Sequence, residues 1–192
     1  MRRGLISRIN VAVACLCAIV VMEVTMLQTA AKAQPTAHDF VFENIEGGEL
    51  RLADHAGKAI LLVNTASMCG FTPQYEALQT VWEEYGARGL VVIGVPSRDF
   101  GGQEYGSSAQ IKQFCEINYG IDFPMTEAVK VKCDDAHPYY RWARDQGRMM
   151  VPRWNFYKHL IDADGRIVDW FASTTAPDSR KVRAAIEAVL PR

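Results

Sequence analysis

Two apolar stretches, with one amphipathic segment between them, constrain the fold of this chain more than any other feature. Residues 59–65 begin with a continuous apolar run, and residues 90–95 form a second one. Both runs predict strands that are covered on both faces, as in the middle of a sheet flanked by helices. Residues 74–85 carry apolar side chains at helical spacing and are followed by two glycines, which predicts a helix. The order strand, helix, strand predicts a parallel pair joined by a right-handed crossover.

The remaining segments complete an α/β architecture. Two β-hairpins are expected, over residues 40–52 and over residues 154–171, the second around the turn signal Asp164-Gly165,. Three further helices are expected. The first is capped by Ser108 and runs to about Tyr119, and the second runs from His137 to Ala143. The third is a C-terminal amphipathic helix that Pro177 opens. This order is thioredoxin-like, with a mixed central sheet flanked by helices and an extra N-terminal β-hairpin.

The first 33 residues have the pattern of a secretory signal peptide. Three arginines precede an apolar run at residues 11–22, and Ala31-Lys32-Ala33 fits a cleavage site. We therefore expect residues 1–33 to be removed, leaving a domain at residues 34–192 that is periplasmic or secreted. The alternative is an uncleaved membrane anchor, but Glu23 ends the apolar run after 12 residues, which is short for a bilayer span.

Charge and histidine placement exclude several function classes. The chain has 21 basic and 22 acidic residues, for a net charge of −1, which gives no indication of nucleic-acid binding or of an anionic membrane partner. The four histidines are scattered without the spacing of metal ligands, so we expect neither a metal nor a cofactor.

The cysteines are more informative. Two of the five, Cys15 and Cys17, lie in the expected signal peptide, which leaves Cys69, Cys115 and Cys133. An exported protein with an odd number of cysteines cannot pair all of them internally. Either one thiol is free, or the pairing is part of the function. Cys133 lies in a polar turn and is expected to be a bystander.

Cys69 lies between the end of a predicted strand and the start of a predicted helix. Thr72 is expected to cap that helix, and Pro73 to be its first residue. Backbone N–H groups at a helix start carry partial positive charge, which favours a thiolate. We therefore predict that Cys69 is a redox nucleophile. The alternative is a buried structural thiol, since unpaired cysteine is among the most buried residue types.

Four segments, in order, resemble the glutathione peroxidase family, and together they span about residues 40–190. The first, around Cys69, is similar to the family's peroxidatic-cysteine segment, and the third is similar to a helix end that holds a second cysteine in thioredoxin-dependent members. The segments are Asn64 to Tyr75, Phe100 to Glu104, Phe114 to Gly120, and Trp154-Asn155-Phe156 with Asp162 to Arg166.

The resemblance implies a thiol peroxidase that reduces hydrogen peroxide or organic hydroperoxides. In such a reaction the Cys69 thiolate attacks the distal oxygen and becomes a sulfenic acid, and an alcohol or water is released. Trp154 and Asn155 would donate hydrogen bonds to the thiolate and to the peroxide, because both side chains carry N–H donors.

The resemblance also implies that Cys115 is the resolving cysteine, which attacks the sulfenic acid to form a Cys69–Cys115 disulfide. The alternative is a small core residue, because Cys115 shares an apolar helix face with Ile111 and Phe114,. If Cys115 is packed, its helix must partly unwind before the two sulfurs can meet. The implied partners are a hydroperoxide substrate and, as reductant, a thioredoxin-like dithiol donor or glutathione. A monomer is expected because the segment from Gln146 to Trp154 is short.

The chain departs from the family pattern before Phe100. The family usually has a cysteine, an asparagine and a glutamine where this chain has Ser97, Arg98 and Asp99. An ionised Asp99 only accepts hydrogen bonds, and its charge near Cys69 would disfavour the thiolate. We expect an enzyme that is active but less thiolate-rich, in which Arg98 compensates by pairing with Asp99 or by facing the sulfur. Alternatively, Asp99 turns outward and caps a turn.

Two other function classes are compatible with these residues. One is a periplasmic peroxide sensor or thiol–disulfide relay, in which oxidised Cys69 passes its state to a partner protein. The other is a non-catalytic binding module on the same scaffold, which the acidic side chain of Asp99 allows.

Overall fold

The computed structural model describes residues 34–191 of the chain, so the predicted signal peptide lies outside the described residues. No helix within that range has the length and apolar character needed to cross a membrane. The strands are β1 (Val41–Glu43), β2 (Glu49–Arg51), β3 (Ala59–Thr65), β4 (Leu90–Pro96), β5 (Lys158–Ile161) and β6 (Ile167–Phe171); the α-helices are α1 (Gln74–Tyr85), α2 (Ser108–Tyr119), α3 (Pro138–Gln146) and α4 (Arg180–Val189); and the 3-10 helices are Ala37–Asp39, Leu52–His55, Gly86–Arg88 and Arg148–Met150.

The central sheet has the strand order β4-β3-β5-β6, and β1 and β2 form a separate two-stranded sheet. Strands β3 and β4 are parallel, with Val63 opposite Gly94. Strand β5 runs antiparallel to both β3 and β6. The sheet is therefore mixed, and the predicted thioredoxin-like fold with an N-terminal hairpin is confirmed.

The central strand β3 supplies the core on both faces of the sheet. All seven of its residues are buried, and the first five alternate between two hydrophobic clusters. Leu61 and Val63 pack on the face that holds α1, α2 and α4, whereas Ile60 and Leu62 pack on the face that holds α3 and the N-terminal hairpin. The continuous apolar run of β3 follows from this double coverage.

The largest boundary error concerns the second hairpin. Strand β5 begins at Lys158 rather than at Trp154. Residues 154–156 instead form a turn, in which Phe156 has a φ of +60°. An extended strand cannot contain that backbone conformation, so Trp154 and Asn155 lie on a turn and not on a strand.

Two helix starts were also misplaced. Ser107, rather than Ser108, caps α2 by accepting a hydrogen bond from the Gln110 N–H. The C-terminal helix begins at Arg180, with Ser179 as its cap, instead of opening at Pro177. In both cases the helix begins where a serine hydroxyl accepts a hydrogen bond from a backbone N–H group of the first turn,. Neighbouring serine and proline residues made the sequence ambiguous.

Candidate active site

Three segments converge at the edge of the sheet where the parallel strands β3 and β4 end. The Ser97 N–H donates to the carbonyl of Thr65 at 3.0 Å, and the Met68 N–H donates to the carbonyl of Gln103 at 3.0 Å. The third segment, before β5, joins through a hydrogen bond from the Phe156 N–H to the carbonyl of Asn64 at 2.6 Å. The end of β3 and the Cys69 loop that follows it are thus fixed to both neighbouring segments by backbone hydrogen bonds. This edge is where α/β sheets commonly place a site.

The Cys69 loop is closed by the hydroxyl of Thr72. That hydroxyl accepts from the Cys69 N–H and donates to the Ala66 carbonyl, both at 2.9 Å. Helix α1 begins only at Gln74 and has no side-chain cap, so the prediction that Thr72 caps the helix was wrong. Cys69 Sγ receives the Phe71 N–H at 3.4 Å. A backbone donor therefore points at the sulfur, as expected for a thiolate position.

The turn that carries Trp154 and Asn155 is held by Asn64. The amide nitrogen of Asn64 donates to the Trp154 carbonyl at 3.1 Å, and its amide oxygen accepts from the Tyr157 N–H at 3.0 Å. Asn64 is almost fully buried, so this clamp is shielded from water. The sequence placed Asn64 in a matching segment but gave it no role.

The two predicted donors differ in exposure. Trp154 is 40% exposed, and its ring lies 5.7 Å from that of Phe100. Asn155 is fully buried, and its Nδ2 donates to Gln103 Oε1 at 3.0 Å. An amide nitrogen has two N–H groups, so one remains for a ligand.

Gln103 was not predicted as a site residue. Its side chain orients Asn155, and its backbone carbonyl holds Met68, the neighbour of Cys69. The only sequence signal was its place in the second matching segment. The link it makes between the cysteine loop and the turn depends on tertiary contacts.

Asp99 adopts the outward arrangement. Its Oδ2 accepts from the backbone N–H groups of Val131 and Lys132, at 2.7 and 3.1 Å. Arg98 does not pair with it: the guanidinium donates through Nε and Nη2 to the Tyr105 carbonyl, at 3.0 and 2.6 Å. Each side chain therefore stabilises a loop backbone near the site, and the compensating Asp99–Arg98 pair expected from the sequence is absent from the described residues.

Cys115 lies on α2 and is 1% exposed. Burial raises the pKa of its thiol to about 12. All three cysteines within residues 34–191 are reduced, and Cys133 is exposed. The structure thus contains Cys115 as a packed, protonated core residue, which is the condition under which we predict that α2 partly unwinds before a disulfide to Cys69 forms,. Among the described side chains, no group of three or more His, Cys, Asp or Glu is placed to bind a metal ion.

Residues 37–144 match the family model described as glutathione peroxidase. This chain belongs to the glutathione peroxidase family. The "Hydroperoxy fatty acid reductase gpx1" of Synechocystis is 41% identical over 170 residues, which cover 83% of this chain and 99% of that protein. The "Glutathione peroxidase-like peroxiredoxin GPX5" of Chlamydomonas reinhardtii is 39% identical over 150 residues, which cover 77% of this chain and 93% of that protein.

A solved structure agrees with the family assignment. The crystal structure of "Trgpx in apo form" aligns with a TM-score of 0.67 at 31% identity, and it covers 83% of this chain and 98% of that one. As a member of this family, the chain is an oxidoreductase that acts as a peroxidase. The candidate site for this activity is the edge of the sheet where the Cys69 loop meets the segments that contain Gln103 and Phe156.

Proposed function

We propose that this protein reduces hydroperoxides with Cys69 as the peroxidatic residue. The observation that carries the proposal is the Phe71 N–H directed at Cys69 Sγ, on a loop that Gln103 connects to Asn155. The thiolate attacks the distal peroxide oxygen, the O–O bond breaks, and Cys69 becomes a sulfenic acid. The leaving alkoxide or hydroxide takes up a proton and departs as alcohol or water.

Asn155 and Trp154 act as the hydrogen-bond donors of this step. The peroxide oxygens gain negative charge as the bond breaks, and N–H groups fixed in advance stabilise that charge without reorganising. Asn155 is fixed by Gln103 and by burial. Trp154 is held by its carbonyl through Asn64, which leaves its indole ring at the surface of the site.

Cys115 resolves the sulfenic acid. Its sulfur attacks Cys69 Sγ, a disulfide forms and water leaves. Because Cys115 is buried on α2, this step follows a local opening of that helix, so oxidation and resolution are separated in time. The disulfide is then reduced by two thiols, for which a thioredoxin-like dithiol protein fits better than glutathione.

An apolar groove supports organic hydroperoxides among the substrates. The groove has a volume of about 330 Å³ and is lined by Phe71, Trp154 and Trp170. The backbone N–H of Phe71 donates to Cys69 Sγ. Arg153 lies along the same groove. The Synechocystis relative is named for hydroperoxy fatty acids, and an apolar groove that begins at Phe71 would accept the organic part of such a molecule here,.

The proposed setting is the periplasm or the extracellular space, after removal of residues 1–33, with the protein as a monomer. An oxidising compartment has no ready pool of reduced thioredoxin or glutathione. A reductant relayed across the membrane would therefore be required.

The test is a stopped-flow reaction of reduced protein (residues 34–192) with one equivalent of hydrogen peroxide or cumene hydroperoxide. We expect a fast phase that Cys69→Ser abolishes, followed by a slower phase that ends in a Cys69–Cys115 disulfide, identified by peptide mass spectrometry. Cys133→Ser is the matched control and should keep both phases. An unchanged fast phase in Cys69→Ser would contradict the peroxidatic role. A second phase that persists in Cys115→Ser would contradict the resolving role.

A further inference from the structure

Arg153 is the only charged side chain, among the residues that the structure describes, that lines the apolar groove containing Phe71. The groove is otherwise formed by side chains that are uncharged at neutral pH, and four of these are aromatic: Phe71, Trp154, Tyr157 and Trp170. A ligand in this groove therefore meets mainly apolar surface and one permanent positive charge. That combination favours a molecule with a hydrocarbon part and a single anionic group.

The guanidinium of Arg153 has no acidic partner within residues 34–191. The arginines that pair with carboxylates in that range are Arg51, Arg144, Arg166 and Arg183. Arg153 Nη2 instead donates to Met149 Sδ at 3.5 Å, and a thioether sulfur is a weak acceptor. Because a guanidinium carries five N–H donors, most of them remain available to a ligand.

The position of Arg153 distinguishes it from other exposed arginines. Arg148 and Arg180 are exposed as well and have no acidic partner in the described range, but neither of them lines the groove. Arg153 directly precedes Trp154, the proposed donor to the peroxide. It also shares the groove with Phe71, whose N–H reaches Cys69 Sγ at 3.4 Å.

The part of the groove around Arg153 is fixed by neighbouring side chains. The Tyr157 hydroxyl donates to the Met149 carbonyl at 2.6 Å. The Tyr157 ring is stacked on Trp170, with the ring centroids 5.4 Å apart and the planes inclined by 3°. Met149 is therefore held at its carbonyl and contacted at its sulfur by Arg153. A groove of about 330 Å³ that is formed before a ligand arrives is typical of small-molecule sites,.

We propose that Arg153 binds the carboxylate of a free fatty-acid hydroperoxide whose hydrocarbon chain lies in the groove, so that the enzyme prefers ionised fatty acids to their neutral esters. The inference rests on the proposed reduction of organic hydroperoxides at Cys69. A carboxylate is ionised at neutral pH, and a guanidinium binds it through two parallel N–H···O hydrogen bonds. An ester offers the same arginine only a neutral acceptor.

The test compares linoleic acid hydroperoxide with its methyl ester, which has the same chain and peroxide group but no charge. The second-order rate constant of Cys69 oxidation is measured for each in stopped flow at neutral pH, below the concentrations at which micelles form. We expect the wild type to react faster with the acid. Arg153→Met should lower the ratio of the acid to the ester rate constant about tenfold, because one charged hydrogen-bonding partner is lost.

Two further variants separate charge from geometry and from position. Arg148→Met is the matched control, because it removes an exposed arginine outside the groove, and it should keep the wild-type ratio. Arg153→Lys keeps the charge without the two-pronged donor geometry, and it should retain part of the preference for the acid. Added salt should lower the wild-type ratio, since exposed charges are screened, and should change the ratio of Arg153→Met little.

A wild type without a preference for the acid would overturn the inference, as would a wild-type ratio in Arg153→Met. An equal fall of both rate constants in Arg153→Met would overturn it too, since that result would mean that Arg153 only supports the position of Trp154. Each of these results leaves peroxide reduction at Cys69 intact. A reduced wild type in which Cys69 reacts with neither substrate nor with hydrogen peroxide would instead overturn the proposed function, and this inference with it.

Discussion

Cys69 and Cys115 have the same side chain but opposite surroundings. Cys69 lies on a loop at the end of β3, is 8% exposed, and receives a backbone N–H at its sulfur. Cys115 lies within α2, is 1% exposed, and has a thiol whose pKa burial raises to about 12. One environment offers the sulfur a hydrogen-bond donor, and the other deprives it of water.

This difference supports the proposal that the two thiols act in different steps. A nucleophile that meets peroxide first must be reached by it, and Cys69, with the Phe71 N–H directed at its sulfur, is the more exposed of these two thiols. A resolving thiol that stays packed does not compete for peroxide. In the proposed reaction Cys115 attacks only after α2 opens, so the helix would set the order of the two steps.

Native-state alkylation should show the largest contrast between the two sites. At pH 8 a thiol with a pKa near 12 is about 1000-fold less ionised than an ordinary exposed thiol. We expect iodoacetamide to modify Cys133 and Cys69 long before Cys115, as measured by timed quenching and peptide mass spectrometry. Equal rates at all three positions would mean that α2 is open in the reduced protein.

The same shift has a consequence for stability at high pH. The folded state keeps the Cys115 proton up to about pH 12, whereas the unfolded chain loses it near its ordinary value of about 8.5. The contribution of this thiol is therefore complete at neutral pH and is lost as pH rises above about 9. Urea unfolding of Cys115→Ala should depend less on pH in that range than unfolding of the wild type.

Removing the amide of Asn155 should act on the Cys69 site alone. Loss of one fixed donor costs about 100-fold in the rate of a reaction that develops negative charge, so Asn155→Ala should slow the fast oxidation phase by roughly that factor. Asn118→Ala is the matched control, because Asn118 makes its amide hydrogen bond on the α2 surface, to the Phe114 carbonyl. If both variants oxidise Cys69 at the wild-type rate, Asn155 is not a donor to the reacting atoms.

Lys158 tests how strongly the surroundings of the Cys69 loop contribute to the stability of the fold. It is fully buried, and its Nζ donates to Gln74 Oε1, the Phe156 carbonyl and the Thr175 carbonyl at 2.6, 2.7 and 2.8 Å. Lys158→Met leaves those acceptors without a donor, and we expect a loss of about 2 kcal/mol in the free energy of unfolding. Because Gln74 opens α1 just after the Cys69 loop, oxidation of Cys69 should slow as well.

The control for that variant is Lys112→Met on α2. Lys112 pairs with Glu46 at the surface, and such exposed pairs contribute at most about 1 kcal/mol. Urea midpoints that fall equally in the two lysine variants would show that the buried amine of Lys158 has no special role.

Among these variants, substitution of Asp99 should have the smallest effect on the rate at which Cys69 reacts with peroxide. Since its carboxylate caps the backbone at Val131 and Lys132, Asp99→Gln should lower the free energy of unfolding by about 1 kcal/mol and leave the fast phase almost unchanged. Asp99→Asn keeps a short acceptor and should lose less stability. An Asp99→Gln variant that reacts several-fold faster with peroxide would indicate that position 99 reaches the sulfur.

Much of the architecture could be predicted from the sequence because its signals are local. The apolar runs of β3 and β4 and the spacing in α1 fixed the parallel unit, and Asp164-Gly165 located the turn between β5 and β6. The predicted start of β5 was wrong because the aromatic residues Trp154 and Phe156 favour a strand. The positive φ of Phe156 and the clamp by Asn64 arise from contacts across 90 residues of chain.

The environment of each site residue was less accessible to prediction. Asp99 was assessed by the type of residue the family has at that position, yet its partners at positions 131 and 132 lie more than 30 residues away. Gln103 was visible only as part of a motif, because its role comes from loops brought together at the end of the sheet.

The sequence by itself determined the fold, the family and the nucleophile candidate, since hydrophobic periodicity and short motifs are properties of neighbouring residues. The tertiary structure alone decided how the two thiols differ. Accessibility, hydrogen-bond donors and burial depend on which distant segments surround a sulfur. For Cys69 these are a loop edge with a directed N–H group, and for Cys115 they are a closed helix face that packs into the core.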